Sequence, residues 1–178
     1  MKKYTVALLV VVFMFLTSVT CWAKSDTDVD RLLKDRQAIC WVEGEILGDM
    51  VLGARGTIQF VYLDEALSRA ISENNTLASW VDDLNQYYGS EKTKKMELFL
   101  IQVETYKPWD VEISKFFIGN YHPNIDDVIS PSVSRPLGSL ESGLKQQMAV
   151  VVPAAEVRRG STVKLGYGKD TVEWKVPR

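Results

Sequence analysis

Met148-Ala-Val-Val-Val152-Pro153, Thr162-Val-Lys-Leu-Gly-Tyr167 and Thr171-Val-Glu-Trp-Lys-Val176 follow one another near the end of the chain. The first is an unbroken apolar run closed by proline. In the second, Val163, Leu165 and Tyr167 share one parity and Thr162 and Lys164 the other. In the third, Val172, Trp174 and Val176 alternate with Thr171, Glu173 and Lys175. Successive side chains of a strand point to opposite faces, so this alternation predicts half-buried strands. Gly168-Lys-Asp170 between the last two reads as a short hairpin loop. Such strands need a second layer over their apolar face, and the preceding residues must supply it.

Working outward, 57–63 repeats the pattern with Ile58, Phe60 and Tyr62 on one face, and 37–43 reads as a strand with Trp41 facing as Ile39 does. The stretch 96–104 is apolar on both faces, Met96, Leu98 and Leu100 against Phe99, Ile101 and Val103, as expected of a strand covered on both sides. Its cover is expected to be a helix pair over 64–88. Asp64 is placed to cap a first helix with the stripe Leu67, Ala70 and Ile71. Leu77, Trp80, Val81, Leu84 and Tyr88 then keep helical spacing up to a stop at Gly89. Asn74-Asn-Thr76 has the form of a glycosylation sequon and reads more simply as the junction between the helices. In 110–118 the apolar phase changes between Val111/Ile113 and Phe116/Ile118, which predicts a β-bulge near Lys115. The glycines at 44, 48, 53 and 56 predict turns around one short strand; their spacing fits neither a dinucleotide fingerprint nor a P-loop.

Strands at 37–43, 57–63, 96–104, 110–118, 147–152, 162–167 and 171–176 give a mainly β domain over 37–178. The expected architecture is a two-layer β-sandwich of immunoglobulin or fibronectin type III type with the helical pair 64–88 inserted, and an α+β layer fold is the alternative. The cysteine pair of antibody domains is missing.

Lys2 and Lys3, the apolar run 6–16 and the small residues Cys21 and Ala23 have the layout of a secretory signal peptide cut after Ala23. The run falls short of the roughly 20 apolar residues of a membrane span. The expected location is periplasmic or secreted, a lipoprotein anchored at Cys21 being the alternative; Ser18 and Thr20 stand where a lipobox prefers other residues. The segment 24–36 reads as a polar, frayed N-terminus with one or two helical turns at Val29, Leu32 and Leu33. Asp26, Asp28 and Asp30 invite comparison with a calcium loop, but Arg31 and Gln37 replace its glycine and glutamate. With the 2 signal lysines removed, 19 basic residues face 23 acidic ones, a balance of −4 that argues against nucleic acid as a partner. Cys40, in an apolar run, would be the only cysteine left and reads as an inert buried thiol.

No motif fixes a reaction, and no cofactor is implied. His122 is the single histidine, so multi-histidine metal sites are excluded. Gly138-Ser-Leu-Glu-Ser-Gly143 lacks the glycine two before Ser142 that a hydrolase elbow requires. A Ser–His–Asp set on His122 with Asp126 or Asp127 could assemble only in space. The segment 119–145 is too long for an ordinary connection and too apolar for a disordered one. It is expected to pack over one end of the sandwich, or alternatively to be a crossover between the sheets. The candidate binding residues are Trp109, Tyr121, His122, Asn124, Asp126 and Arg135, which offer aromatic and polar contact at or near loops. The expected function is an exported, non-enzymatic binding or assembly module of the cell envelope, with a protein or an envelope glycan as partner and membrane contact only through the signal segment or a lipidated Cys21. The alternatives are a secreted hydrolase using 119–145 and a small-molecule carrier with a pocket between helices and sheet.

Overall fold

A computed structural model describes residues 26–73 and 79–178; the expected signal segment and cleavage site, Cys21 and the sequon pattern lie outside them. The central layer is an antiparallel sheet of β1 (Gln37–Val42), β4 (Gly56–Leu63), β5 (Met96–Thr105) and β9 (Lys145–Pro153), paired in that order. Its two faces enter two different cores. Ala38, Cys40 and Val42, Ile58, Phe60 and Tyr62, Phe99, Ile101 and Val103, and Met148, Val150 and Val152 share one core. Val61, Leu63, Leu98, Leu100, Ala149 and Val151 share the other. The doubly apolar pattern of 96–103 has this cause: β5 is an inner strand with β4 on one edge and β9 on the other.

Over the first face lies a three-stranded sheet of β11 (Asp170–Lys175), β10 (Thr162–Tyr167) and β7 (Phe116–Ile118). Its register sets Val163 opposite Trp174 and Leu165 opposite Val172, so the alternating parity noted above is the core-facing one. Trp174 and Val176 are buried, and Val172 packs half-buried beside them. Gly168, at φ 60°, takes the left-handed conformation of the tight hairpin turn, which a Cβ would oppose. Over the second face lie α1 (Asp26–Arg36), α2 (Glu65–Glu73) and α3 (Trp80–Asn85). Val29, Leu67, Ile71, Val81 and Leu84 are their buried contributions. Asp64 caps α2 as expected, accepting the Leu67 N–H at 2.9 Å.

Three expectations need correction. The segment 24–36 is not a frayed end. From Asp26 onward it is helix α1, docked through Val29 and anchored by Arg36, whose Nε and second guanidinium nitrogen each donate to Asp64 at 2.8 Å. Residues 44–56 hold not one short strand but two, β2 (Glu45–Leu47) and β3 (Met50–Leu52), paired as a hairpin. The 110–118 strand is not bulged but divided. β6 (Trp109–Val111) pairs with β8 (Gly138–Leu140), a 3₁₀ turn covers Ile113–Lys115, and β7 then joins the three-stranded sheet. One turn therefore passes the chain from one pairing to another, which explains the phase change without an extra residue. Within 119–145, 3₁₀ turns at Ile125–Asp127 and Ser132–Ser134, strand β8 and the bridge from Val128 to Val150 give an ordered path. Ile129 N–H donates to the Ala149 carbonyl and Ala149 N–H to the Ser130 hydroxyl, so this segment covers part of the β9 edge. No helix among the described residues is long and apolar enough to cross a membrane.

Candidate functional site

The β2–β3 hairpin gathers four of the exposed large apolar side chains among the described residues, Ile46, Leu47, Met50 and Leu52. In an antiparallel pair, residues directly opposite share a face. Leu47 opposite Met50, with Leu52 opposite Glu45, makes one face; Ile46 opposite Val51 makes the other. Both faces are therefore apolar, yet Ile46 is 68% exposed, Met50 63%, and Leu47 and Leu52 48% each. An isolated two-stranded hairpin is marginal in water, so its base must be held. Arg55 N–H donates to the Val42 carbonyl, Tyr106 and Lys107 N–H both donate to the Arg55 carbonyl, and Lys107 Nζ donates to the Gly53 carbonyl at 2.6 Å.

Beside that base opens a cleft of about 390 Å³ between the end of β1, strand β6 and the β10–β11 turn. Glu43, Arg55, Asp110, Lys115, Lys169 and Asp170 set its polar wall, while Trp109 and Tyr167 form its floor. Glu43 is the one non-glycine residue among those described with positive φ, at 54°. That conformation costs about 1–2 kcal/mol, and two contacts hold it. Its N–H donates to Asp170 Oδ2 at 3.1 Å, and its carboxylate accepts Arg55 Nε at 2.7 Å. Backbone strain of this kind collects at binding sites when the surroundings over-determine it. Cys40 lies behind this wall and is 1% exposed; burial, reinforced by the Asp170 charge, raises its thiol to about 11. It is neutral and unreactive at physiological pH.

The six residues singled out in the sequence divide between two places. Trp109 is buried on β6, edge-on to Tyr167 with ring centroids 5.0 Å apart, and reaches the cleft only as its floor. The other five belong to the segment after β7, where most of their polar atoms hold the loop. The Tyr121 hydroxyl donates to Asp127 Oδ2 at 2.8 Å; burial first, then that bond, raises its pKa. Asn124 caps the 125–127 turn by accepting the Asp126 N–H, and its own N–H returns to Asp127. Asp126 is exposed, with its carbonyl taken by Lys92 Nζ at 3.0 Å. Arg135 lies half-buried and donates to the Ser130 and Val128 carbonyls. His122 is exposed, 3.3 Å from the Ser114 carbonyl through Nδ1 and beside the Phe117 ring. Ser142, the serine of the elbow-like stretch 138–143, donates to the Tyr106 carbonyl at 2.7 Å. Among the described residues, no three His, Cys, Asp or Glu side chains converge in a way that could hold a metal ion.

Sequence reasoning missed the hairpin and the cleft. The signal for the hairpin was present: Ile46, Leu47, Met50, Val51 and Leu52 flank Gly48-Asp49, and short apolar runs on either side of such a pair are a hairpin pattern. Compared with known protein families, curated proteins and solved structures, the chain has no match.

Proposed function

We propose that the protein is an exported, non-enzymatic binding or assembly module of the cell envelope, and that it engages a protein partner through the hairpin at 45–52 and the cleft at its base. The observation that carries this reading is an arm apolar on both faces and exposed on both. A single flat contact covers only one face, so such an arm suits insertion between two surfaces of a groove. Covering the exposed halves of Ile46, Leu47, Met50 and Leu52 is worth roughly 3–6 kcal/mol before the costs of association. A bilayer is the poorer host: Asp49 stands at the exposed tip, and a central aspartate costs about 2.5–3.5 kcal/mol on insertion scales. A protein groove can meet that carboxylate with a donor.

The finer architecture we read as an immunoglobulin-like or fibronectin-III-like sandwich of the four- and three-stranded sheets, with the helices as a third layer on the outer face. The shared core between those sheets supports this. The hydrolase reading draws less support, because Tyr121, Asn124 and Arg135 are engaged in holding their own loop and Ser142 bonds to a backbone carbonyl.

Export is tested by intact mass of the protein recovered from the cell envelope, which should lack residues 1–23; a retained start or a diacylglycerol adduct on Cys21 overturns the soluble reading. Docking is tested with a photo-crosslinking residue at position 47 or 50 of the full chain, expressed in its native cell, and at exposed Glu173 as control. A discrete adduct should form from 47 and from 50, and the one from 47 should vanish on Met50→Asp. No adduct, or the same adducts from 173, refutes the hairpin as the contact.

A further inference from the structure

A second cavity, of about 250 Å³, opens beside the start of α2 and is lined by Arg36, Tyr62, Asp64, Arg69, Arg159 and Arg178 among others. The acids here already have partners. Asp64 accepts both bonds from Arg36 and the Leu67 N–H. Glu65 is paired with Arg69, and Glu97 accepts the Tyr62 hydroxyl at 2.7 Å. Arg159 and Arg178, by contrast, have no hydrogen-bond or ion-pair partner among the described residues.

Backbone bonds bring these two arginines together. Gly160 N–H donates to the Val176 carbonyl at 3.1 Å, and Val176 N–H returns to the Ser161 carbonyl at 2.9 Å. Gly160 takes φ 76°, and a Cβ there would meet Arg178 Cγ at 3.6 Å and Nε at 3.8 Å. The Arg178 side chain thus lies over the residue next to Arg159. Two guanidinium groups brought to one cavity without carboxylates of their own, since Asp64 and Glu65 are taken by Arg36 and Arg69, repel each other. Solvent weakens that repulsion without reversing it. An anion reverses it.

We infer that this cavity binds a phosphate group. The guanidinium groups left for it come from separate segments, at 159 and 178, beside Arg36 and Arg69, which are already paired with Asp64 and Glu65. A planar carboxylate is satisfied by one arginine fork, whereas a tetrahedral phosphate offers oxygens in several directions and suits donors converging from several sides. The inference is independent of the hairpin and of any partner bound there.

The test is calorimetric titration of the mature protein with inorganic phosphate and pyrophosphate, with acetate as the planar anion, and flotation with phosphatidic acid vesicles. Saturable binding of the phosphates, weakened at least tenfold in both Arg159→Gln and Arg178→Gln and unchanged in Arg158→Gln, supports a soluble phosphate ligand. Vesicle binding with the same variant pattern supports a lipid headgroup. Thermal midpoints of the three variants should match the parent, since all three side chains are exposed. No binding in any arm, equal binding of acetate, or equal loss in Arg158→Gln overturns the inference.

Discussion

Replacing Trp174 by alanine removes the side chain through which the β10–β11 hairpin meets both the central sheet and the first helix. The indole is 6% exposed, with ring centroids 5.6 Å from Tyr62 and 6.0 Å from Phe99, and its Nε1–H donates to the Asp35 carbonyl at 3.2 Å. The loss has two parts. Truncating a buried tryptophan to alanine costs about 3–5 kcal/mol in transfer and cavity terms. Leaving the Asp35 carbonyl without its donor adds about 1 kcal/mol if water cannot reach it. Trp174→Phe separates them, because it keeps most of the ring contact with Tyr62 and Phe99 and loses only the N–H. The expected order in urea denaturation is alanine lowest, phenylalanine about 1–2 kcal/mol below the parent, with the denaturant slope unchanged so that the shift reports stability. A loss within about 0.5 kcal/mol for alanine is the size of a surface substitution. That result would refute the packing of Trp174 between the layers and with it the register of β10 and β11.

Asp64→Ala should cost about 3 kcal/mol or more, because it strands the buried Arg36 guanidinium and removes the cap of α2; adding Arg36→Met should recover part of the loss in the same denaturation assay. Cys40 should resist a thiol reagent in the native protein at pH 8 and react once unfolded; fast native labelling would contradict its burial. Its raised pKa means that the folded state holds the thiol proton more tightly than the unfolded state does. Stability from this group is therefore complete below about pH 9 and lost as pH rises toward 11, by at most about 1.4 kcal/mol per unit, and Cys40→Ala should flatten that part of the pH profile. Gly166→Ala should destabilise by about 1–3 kcal/mol, since its Cβ would fall 2.1 Å from the Asp170 carbonyl oxygen and 2.5 Å from Phe117 Cζ; an unchanged urea midpoint would place those atoms elsewhere. Ile46→Ser with Met50→Ser should leave the urea midpoint within about 1 kcal/mol of the parent, because neither side chain is buried, while removing the crosslink at the hairpin.

What the sequence alone determined follows from period. Alternation over 57–63, 162–167 and 171–176 needs no partner to be read, because a strand's two faces are fixed by its own backbone. The same holds for the double apolar face of 96–103, the Asp64 cap and the buried state of Cys40. Tertiary structure alone decided the rest, wherever the stabilising partner is far away in the chain. Helix α1 is too polar to be read as docked; its anchor is an ion pair between residues 28 positions apart. The phase change at 113–115 is visible locally, but whether it is a bulge or a turn depends on β8 and β10 accepting the two halves. Trp109 and Arg135 look like free loop residues until Tyr167 and the Ser130 carbonyl come beside them. The candidate sites are of the same kind. Val42, Arg55, Trp109 and Asp170 meet at one cleft, and Arg36, Arg159 and Arg178 at one cavity, only because antiparallel pairing returns distant segments to the same end of the sheets. Period carries no information about that return, since it records which face a side chain takes and not which segment it meets there.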